Sequence, residues 1–223
     1  MEALPHAIVF DMDGTLTDSE EEWDVVRRGL AAADGVPWPE GATQAMMGMS
    51  TREWSTYLVE AVDLRGTPEE AAQRTIDGMA AAYRAGRIPV VHGAVDAVRR
   101  MAALAPLAVA SSSPRTLIEA GLELLGVRDL VGVVVSTEEV ERGKPHPDGF
   151  LAAASRLGVD PAACVAVEDS TNGVRSALAA GMRTVVVPPR FHPPAAEVLD
   201  RAHAVIDDLD ALTVDLVRGL FPG

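Results

Sequence analysis

Short, unbroken apolar runs rich in β-branched residues recur along the chain at Ala7–Phe10, Leu107–Ala110, Val131–Val135, Val165–Val167, Thr184–Val187 and Ala204–Ile206. None alternates with polar residues, which is the pattern of strands buried on both faces in a helix-covered parallel sheet. Between the later runs lie helical patterns with recognisable ends. Ser113-Pro114 and Asp160-Pro161 each place a capping residue ahead of a proline suited to a first helical turn. Leu125-Gly126, Leu157-Gly158 and Ala180-Gly181 offer glycines where helices stop. Strand, helix, glycine and strand repeat from about residue 90 onward. This predicts an α/β fold, a doubly wound parallel sheet with right-handed crossovers.

The interval from Phe10 to Leu107 breaks the rhythm, because it contains no comparable strand. Instead Ser19–Ala33, Thr51–Val62 and Glu69–Arg84 carry apolar residues at helical spacing, and Thr67-Pro68-Glu69-Glu70 is a capping box with proline at the first helical position. A stretch this long is not an unstructured loop. The expectation is a core domain of residues 1–17 and 91–223, with a helical cap domain of residues 18–90 inserted and hinged at its two crossing points. Ala31–Ala33 and Ala80–Ala82 are helix material rather than low-complexity sequence.

With 223 residues, 48% hydrophobic and 23% charged, such a chain buries a core without disulfide or metal staples. The net charge of −14 repels nucleic-acid backbones and anionic lipid heads, so neither is expected as a partner. The lone cysteine, Cys164, excludes an intrachain disulfide and reads as an inert small hydrophobe at the start of a buried strand. Met1–Phe10 lacks a basic leader, and the longest apolar stretch, Met101–Ala110, is too short for a span and contains Pro106. Cytoplasmic location follows as the expectation.

The candidate chemistry sits at the ends of the apolar runs. The first ends in Asp11-Met12-Asp13-Gly14-Thr15, where an Asp-Gly turn is the plain reading. Yet two carboxylates at a strand's carboxyl end, where open α/β sheets bind ligands, repel each other unless a cation or shared proton intervenes. A second acidic pair, Glu168-Asp169, ends the fourth run ahead of Ser170-Thr171-Asn172-Gly173, so four carboxyl groups are expected to converge. Such a cluster suits a hard, oxygen-seeking dication such as Mg²⁺. An N-cap from Asp169 or Ser170 accounts for the loop but not for the doubled acids. Among the nineteen basic residues only Lys144 is a lysine, and a compact ammonium suits a point contact to a phosphate oxygen or carboxylate. After the second run, Ser111-Ser112-Ser113-Pro114 supplies hydroxyls and helix-start donors that hold an anion. Ser111 is the better phosphate ligand, and Ser113 reads equally well as a helix cap.

Taken in order, Asp11-Met12-Asp13-Gly14-Thr15, Ser111, Lys144-Pro145 and Glu168-Asp169 resemble the four motifs of the haloacid dehalogenase-like superfamily, in its capped phosphatase and phosphomutase branch. The resemblance covers nearly the whole chain. It implies that Asp11 is a nucleophile forming an aspartyl-phosphate and that Asp13 is general acid, then base for water. It further implies Mg²⁺ held by Asp11, the Asp13 backbone carbonyl and Asp169, with Glu168 a ligand directly or through water. Ser111 and Lys144 would bind the transferring phosphoryl group.

Within that family, dehalogenating relatives lack the second aspartate, and a phosphonate-cleaving relative uses a cap lysine that is absent here. β-Phosphoglucomutase shares the core motifs, but its cap histidine aligns with Trp23 and its cap lysine has no counterpart. The expected function is therefore hydrolysis of a small phosphorylated metabolite, a sugar phosphate or similar phosphomonoester. A sugar phosphomutase is the alternative, and a catalytically silent phospho-ligand binder a more distant one. Arg52 is the candidate for specificity, matching a substrate-contacting cap arginine; a solvated residue paired with Glu53 or Glu60 is the competing reading. Trp23 and Trp54 either wall the pocket or belong to the core. Met46, Met47 and Met49 read as packing at a bend, and His6, His92, His146, His192 and His203 show no ligand spacing. A monomer or weak homodimer is expected.

Overall fold

The computed structural model describes residues 4–46, 49–189 and 193–221, so Met47 and His192 lie outside the described residues. The chain divides into two compact units, Met1–Asp18 with Val90–Gly223, and Ser19–Pro89. Strand β1 (Ala7–Phe10) is followed by the helices of the second unit, α1 (Glu20–Asp34), α2 (Ala42–Met46), α3 (Thr51–Glu60) and α4 (Pro68–Arg84). The chain then alternates: α5 (Ala94–Ala102), β2 (Leu107–Ser111), α6 (Arg115–Leu124), β3 (Val131–Ser136), α7 (Asp148–Leu157), β4 (Cys164–Glu168), α8 (Thr171–Ala179), β5 (Arg183–Val186), α9 (Ala196–Leu199), β6 (Ala204–Val205) and α10 (Val214–Gly219). No helix among the described residues is long and apolar enough to cross a membrane.

The strands form one parallel sheet in the order β3-β2-β1-β4-β5-β6. Its two faces are built differently. Ile8, Phe10, Leu107, Val109, Val165, Val167 and Val185 pack with Val98 and Met101 of α5 and Ile118 and Leu122 of α6. The opposite face is Ala7, Val9, Ala108, Ala110 and Ala166, against Phe150, Ala153 and Ala154 of α7 and Ala177 of α8. Small residues there let these helices approach closely, and covering both faces explains why the strands show no polar alternation. Cys164 opens β4 and is buried, which pushes its thiol up to about 11.

Local signals set most helix ends. Ser50 with Glu53, and Thr67 with Glu70, form capping boxes on α3 and α4, and Gly158 ends α7 in the left-handed region. Two expectations are corrected. Asp160-Pro161 starts only the 3₁₀ turn Pro161–Ala163, because β4 begins at once. Pro114, not Ser113, holds the N-cap of α6, since the Ser113 hydroxyl is committed elsewhere. Helices α2, α9 and α10 are too short to show a periodic apolar face. The second unit has its own core of Ala31, Met46, Trp54, Leu58 and Ala71, with Met49 packed against it.

The edge strand β3 is shielded by charge. Arg115 and Arg156 both donate to the Val134 carbonyl, at 2.6 and 3.0 Å, and both grip Glu139, at 2.6 and 2.9 Å. Hydrogen bonds from Arg115, and then Arg156, hold the Glu139 carboxyl at about 2. A depressed carboxylate contributes stability above its unfolded value and loses it as the pH falls through the folded one. Glu139→Gln should therefore lower stability at neutral pH, and the gap to the wild type should narrow as the pH drops from 4.5 towards 2, read by urea unfolding.

Candidate active site

Strand β1 is central, and the chain runs outward from it in both directions, to β2 and β3 on one side and to β4, β5 and β6 on the other. Such a switch point leaves a crevice at the strands' carboxyl ends. Asp11 directly follows β1, Ser111 ends β2, Lys144 lies in the loop before α7, and Glu168 ends β4 with Asp169 next. The Asp11 amide donates to the Val167 carbonyl at 2.9 Å, continuing the β1–β4 ladder and fixing the two acidic tips side by side.

Asp11, Glu168 and Asp169 are all buried, and an oxygen of each lies within 4.8 Å of the others. The Lys144 ammonium bridges two of them, 2.5 Å from Asp11 Oδ1 and 2.6 Å from Glu168 Oε1, above the Phe150 ring at 5.4 Å. Burial raises the Asp11 carboxyl to about 7, with Lys144 pulling it down and Glu168 pushing it up. Asp169 is raised well above the carboxylate range by burial and then by Glu168 and Asp11. Burial disfavours the Lys144 ammonium, but its two acidic partners outweigh that and raise its pKa.

Glu168 is the most constrained of the three. Its Oε2 accepts from the Asp169 amide at 3.0 Å, the Ser170 amide at 3.2 Å and the Ser170 hydroxyl at 3.1 Å. Ser170 also caps α8 through the Gly173 amide, so the capping reading of that loop coexists with the acidic pair. A Cβ at Gly173 would overlap the Glu168 carboxylate, and one at Gly14, whose φ is +89°, would overlap the carboxylate of Asp169. These glycines leave the room that the acids fill. Thr15 completes the support by donating to Asp169 Oδ1 at 3.2 Å.

Asp11, Glu168 and Asp169 form the tight trio. The Asp13 carboxylate, near enough to push the Asp11 carboxyl up, accepts at its Oδ2 from the Ser113 hydroxyl at 2.6 Å and the Ser111 hydroxyl at 3.3 Å. The Ser113 amide in turn donates to Ser111 Oγ at 3.0 Å. Ser113, which the sequence left between a helix cap and an anion ligand, is thus a partner of Asp13. Its spacing of two from Ser111 beyond a strand end was the available signal. Arg52 is exposed on α3, and Glu53, one of its possible partners, is occupied by the Ser50 capping box.

The donor set of the cluster is all oxygen, with neither His nor Cys, which suits a hard divalent cation. Three buried carboxylates against one ammonium also leave negative charge that a cation would neutralise. Fold and site together define an α/β protein with a buried acidic cluster at its topological switch point.

The family model of haloacid dehalogenase-like hydrolases matches residues 5–181. Hexitol phosphatase B of Escherichia coli is 34% identical over 82% of this chain and 83% of its own length. Fructose-1-phosphate phosphatase YqaB of the same organism is 32% identical over 81% of this chain and 95% of its own. The structure of CbbY from Rhodobacter sphaeroides in complex with phosphate superposes with a TM-score of 0.82 and 26% identity, covering 94% of this chain and 96% of that one. The chain belongs to the haloacid dehalogenase-like hydrolase family, and within it falls among phosphoric monoester hydrolases.

The uncompensated charge makes a prediction about stability. Asp169→Asn removes one of three buried like charges and should stabilise the chain in a chelator by about 1 kcal/mol. The same variant should lose most of the stabilisation that an added divalent cation gives the wild type, both read by thermal unfolding.

Proposed function

We propose that the chain is a Mg²⁺-dependent phosphatase that hydrolyses a small phosphorylated metabolite, a sugar phosphate or similar phosphomonoester, through an aspartyl-phosphate on Asp11. The observation that carries this reading is the single buried ammonium of Lys144 bridging Asp11 and Glu168 within a three-carboxylate cluster. The sugar-phosphate substrates named for the two Escherichia coli relatives support the substrate class.

In this reading a carboxylate oxygen of Asp11 attacks phosphorus as the ester P–O bond breaks. Asp13 gives its proton to the departing alkoxide, then takes one from the water that attacks the aspartyl-phosphate and releases inorganic phosphate. Lys144 and the Ser111 hydroxyl bind the phosphoryl oxygens. At an effective dielectric of 20, two opposite unit charges about 4 Å apart attract by about 4 kcal/mol, so the ammonium offsets much of the repulsion between an anionic nucleophile and an anionic ester. Glu168, with both oxygens engaged, chiefly fixes Lys144 and would meet the metal directly or through water. Asp11, the Asp13 backbone carbonyl and Asp169 would hold Mg²⁺, which when bound would supply further positive charge near the phosphoryl group.

Ser111 and Ser113 hydrogen-bond the Asp13 carboxylate while Lys144 pairs with Asp11, so the two aspartates are suited to different tasks. Residues 18–90 serve as the cap domain and residues 1–17 and 91–223 as the core domain, and Arg52 contributes to substrate choice. Trp23 at the mutase histidine position, together with the absence of any lysine from residues 18–90, favours water over a sugar hydroxyl as acceptor.

A phosphate-release screen over a metabolite panel tests the proposal. Turnover should require Mg²⁺, vanish in a chelator, and fall by roughly 10³-fold or more in Asp11→Asn. Absence of metal-dependent phosphate release from every ester tried, by a folded wild-type chain, would overturn it.

A further inference from the structure

The helical unit contains a buried charge that the proposed chemistry does not use. Arg27 lies on α1 one turn beyond Trp23 and is only 9% exposed. Its guanidinium carbon is 4.9 Å from the centroid of the Trp23 ring and 5.0 Å from that of Trp54, and the two indoles meet edge to face at 5.9 Å. Aromatic faces attract a cation but accept none of the hydrogen bonds that lie in the guanidinium plane.

Those donors are unspent. No described residue accepts a hydrogen bond from Arg27, and its Nε is fully buried without a partner. The terminal nitrogens are not among the fully buried unpartnered atoms, so they keep access to solvent. The nearest acid in sequence, Asp24, is taken by Arg28 at 2.5 Å and by the Thr43 hydroxyl. Other arginines of the same unit are paired: Arg74 with Asp34 at 2.8 Å and Arg87 with Glu22 at 2.9 Å. Burial lowers the Arg27 pKa to about 10, so it remains charged at neutral pH. A desolvated cation with no hydrogen-bonded counter-charge is costly, and purely structural stacking between the indoles does not require one.

We propose that Trp23, Arg27 and Trp54 form a binding site for a small oxyanion, a carboxylate or a phosphate group, whose oxygens accept from the terminal nitrogens of Arg27. Both groups present paired oxygens that match the guanidinium fork. The site stands within the helical unit alone and does not depend on the phosphatase reading.

All three tryptophans of the chain, Trp23, Trp38 and Trp54, lie in this unit, so intrinsic fluorescence reports on it. The full chain is titrated in a chelator with inorganic phosphate in one arm and malonate in the other. The same titrations are run on Arg27→Gln, Arg27→Lys and Lys144→Met, each checked for folding by circular dichroism. A saturable change is expected in the wild type with at least one anion. It should weaken at least about tenfold in Arg27→Gln, be intermediate in Arg27→Lys, and persist in Lys144→Met. Should Arg27→Gln not fold, Arg27→Lys carries the comparison. A response to phosphate alone assigns the site to a phosphoryl group, and one to malonate alone assigns it to a carboxylate. No saturable change with either anion, equal affinity in the folded Arg27 variants, or loss of the signal in Lys144→Met would overturn the proposal. Because binding is read without turnover, failure here is distinct from failure to release phosphate.

Discussion

The ammonium of Lys144 faces three buried carboxylates, and much of the surrounding structure follows from that imbalance. A buried charge is tolerated when it is paired and hydrogen-bonded. Lys144 supplies that pairing for Asp11 and Glu168, while Asp169 has only the Thr15 hydroxyl and a raised pKa. The centre therefore keeps excess negative charge that its own residues do not neutralise. A fold selected for stability alone would have fewer acids here. This chain keeps them at the cost of stability, as functional sites commonly do.

Parallel strands bring such a cluster together. Placing β1 between β2 and β4 sets three strand tips next to one another, and the backbone ladder extended by the Asp11 amide keeps the acidic tips in register. Glycine completes the fit where a side chain would collide with a carboxylate, at Gly14 and Gly173. The alanine-lined face of the sheet then admits α7 closely, with Phe150 packed into that face beneath the Lys144 ammonium.

Only Met12 separates Asp11 from Asp13, yet their surroundings differ in kind. Asp11 sits among charges, whereas Asp13 is held by the neutral hydroxyls of Ser111 and Ser113. One short motif thereby provides two carboxylates suited to different work. The helical unit repeats the theme of charge left unmatched with opposite sign, in the unpaired guanidinium of Arg27.

The sequence by itself determined the six strands, the three longer helices of residues 20–84 with the capping box at Thr67, and the acids and lysine that meet at the strand tips. These are legible because apolar periodicity and capping are local, and because a solitary lysine among arginines stands out by composition alone. Tertiary structure decided which side chain each donor finds. Lys144 reaches Asp11 across 133 positions of sequence, and Ser113 reaches Asp13 across 100. The serine hydrogen bonds of Asp13, the double engagement of Glu168, and the lack of a hydrogen-bond acceptor for Arg27 among the described residues depend on loop paths and on the space between packed elements. Periodicity along a chain carries no record of either.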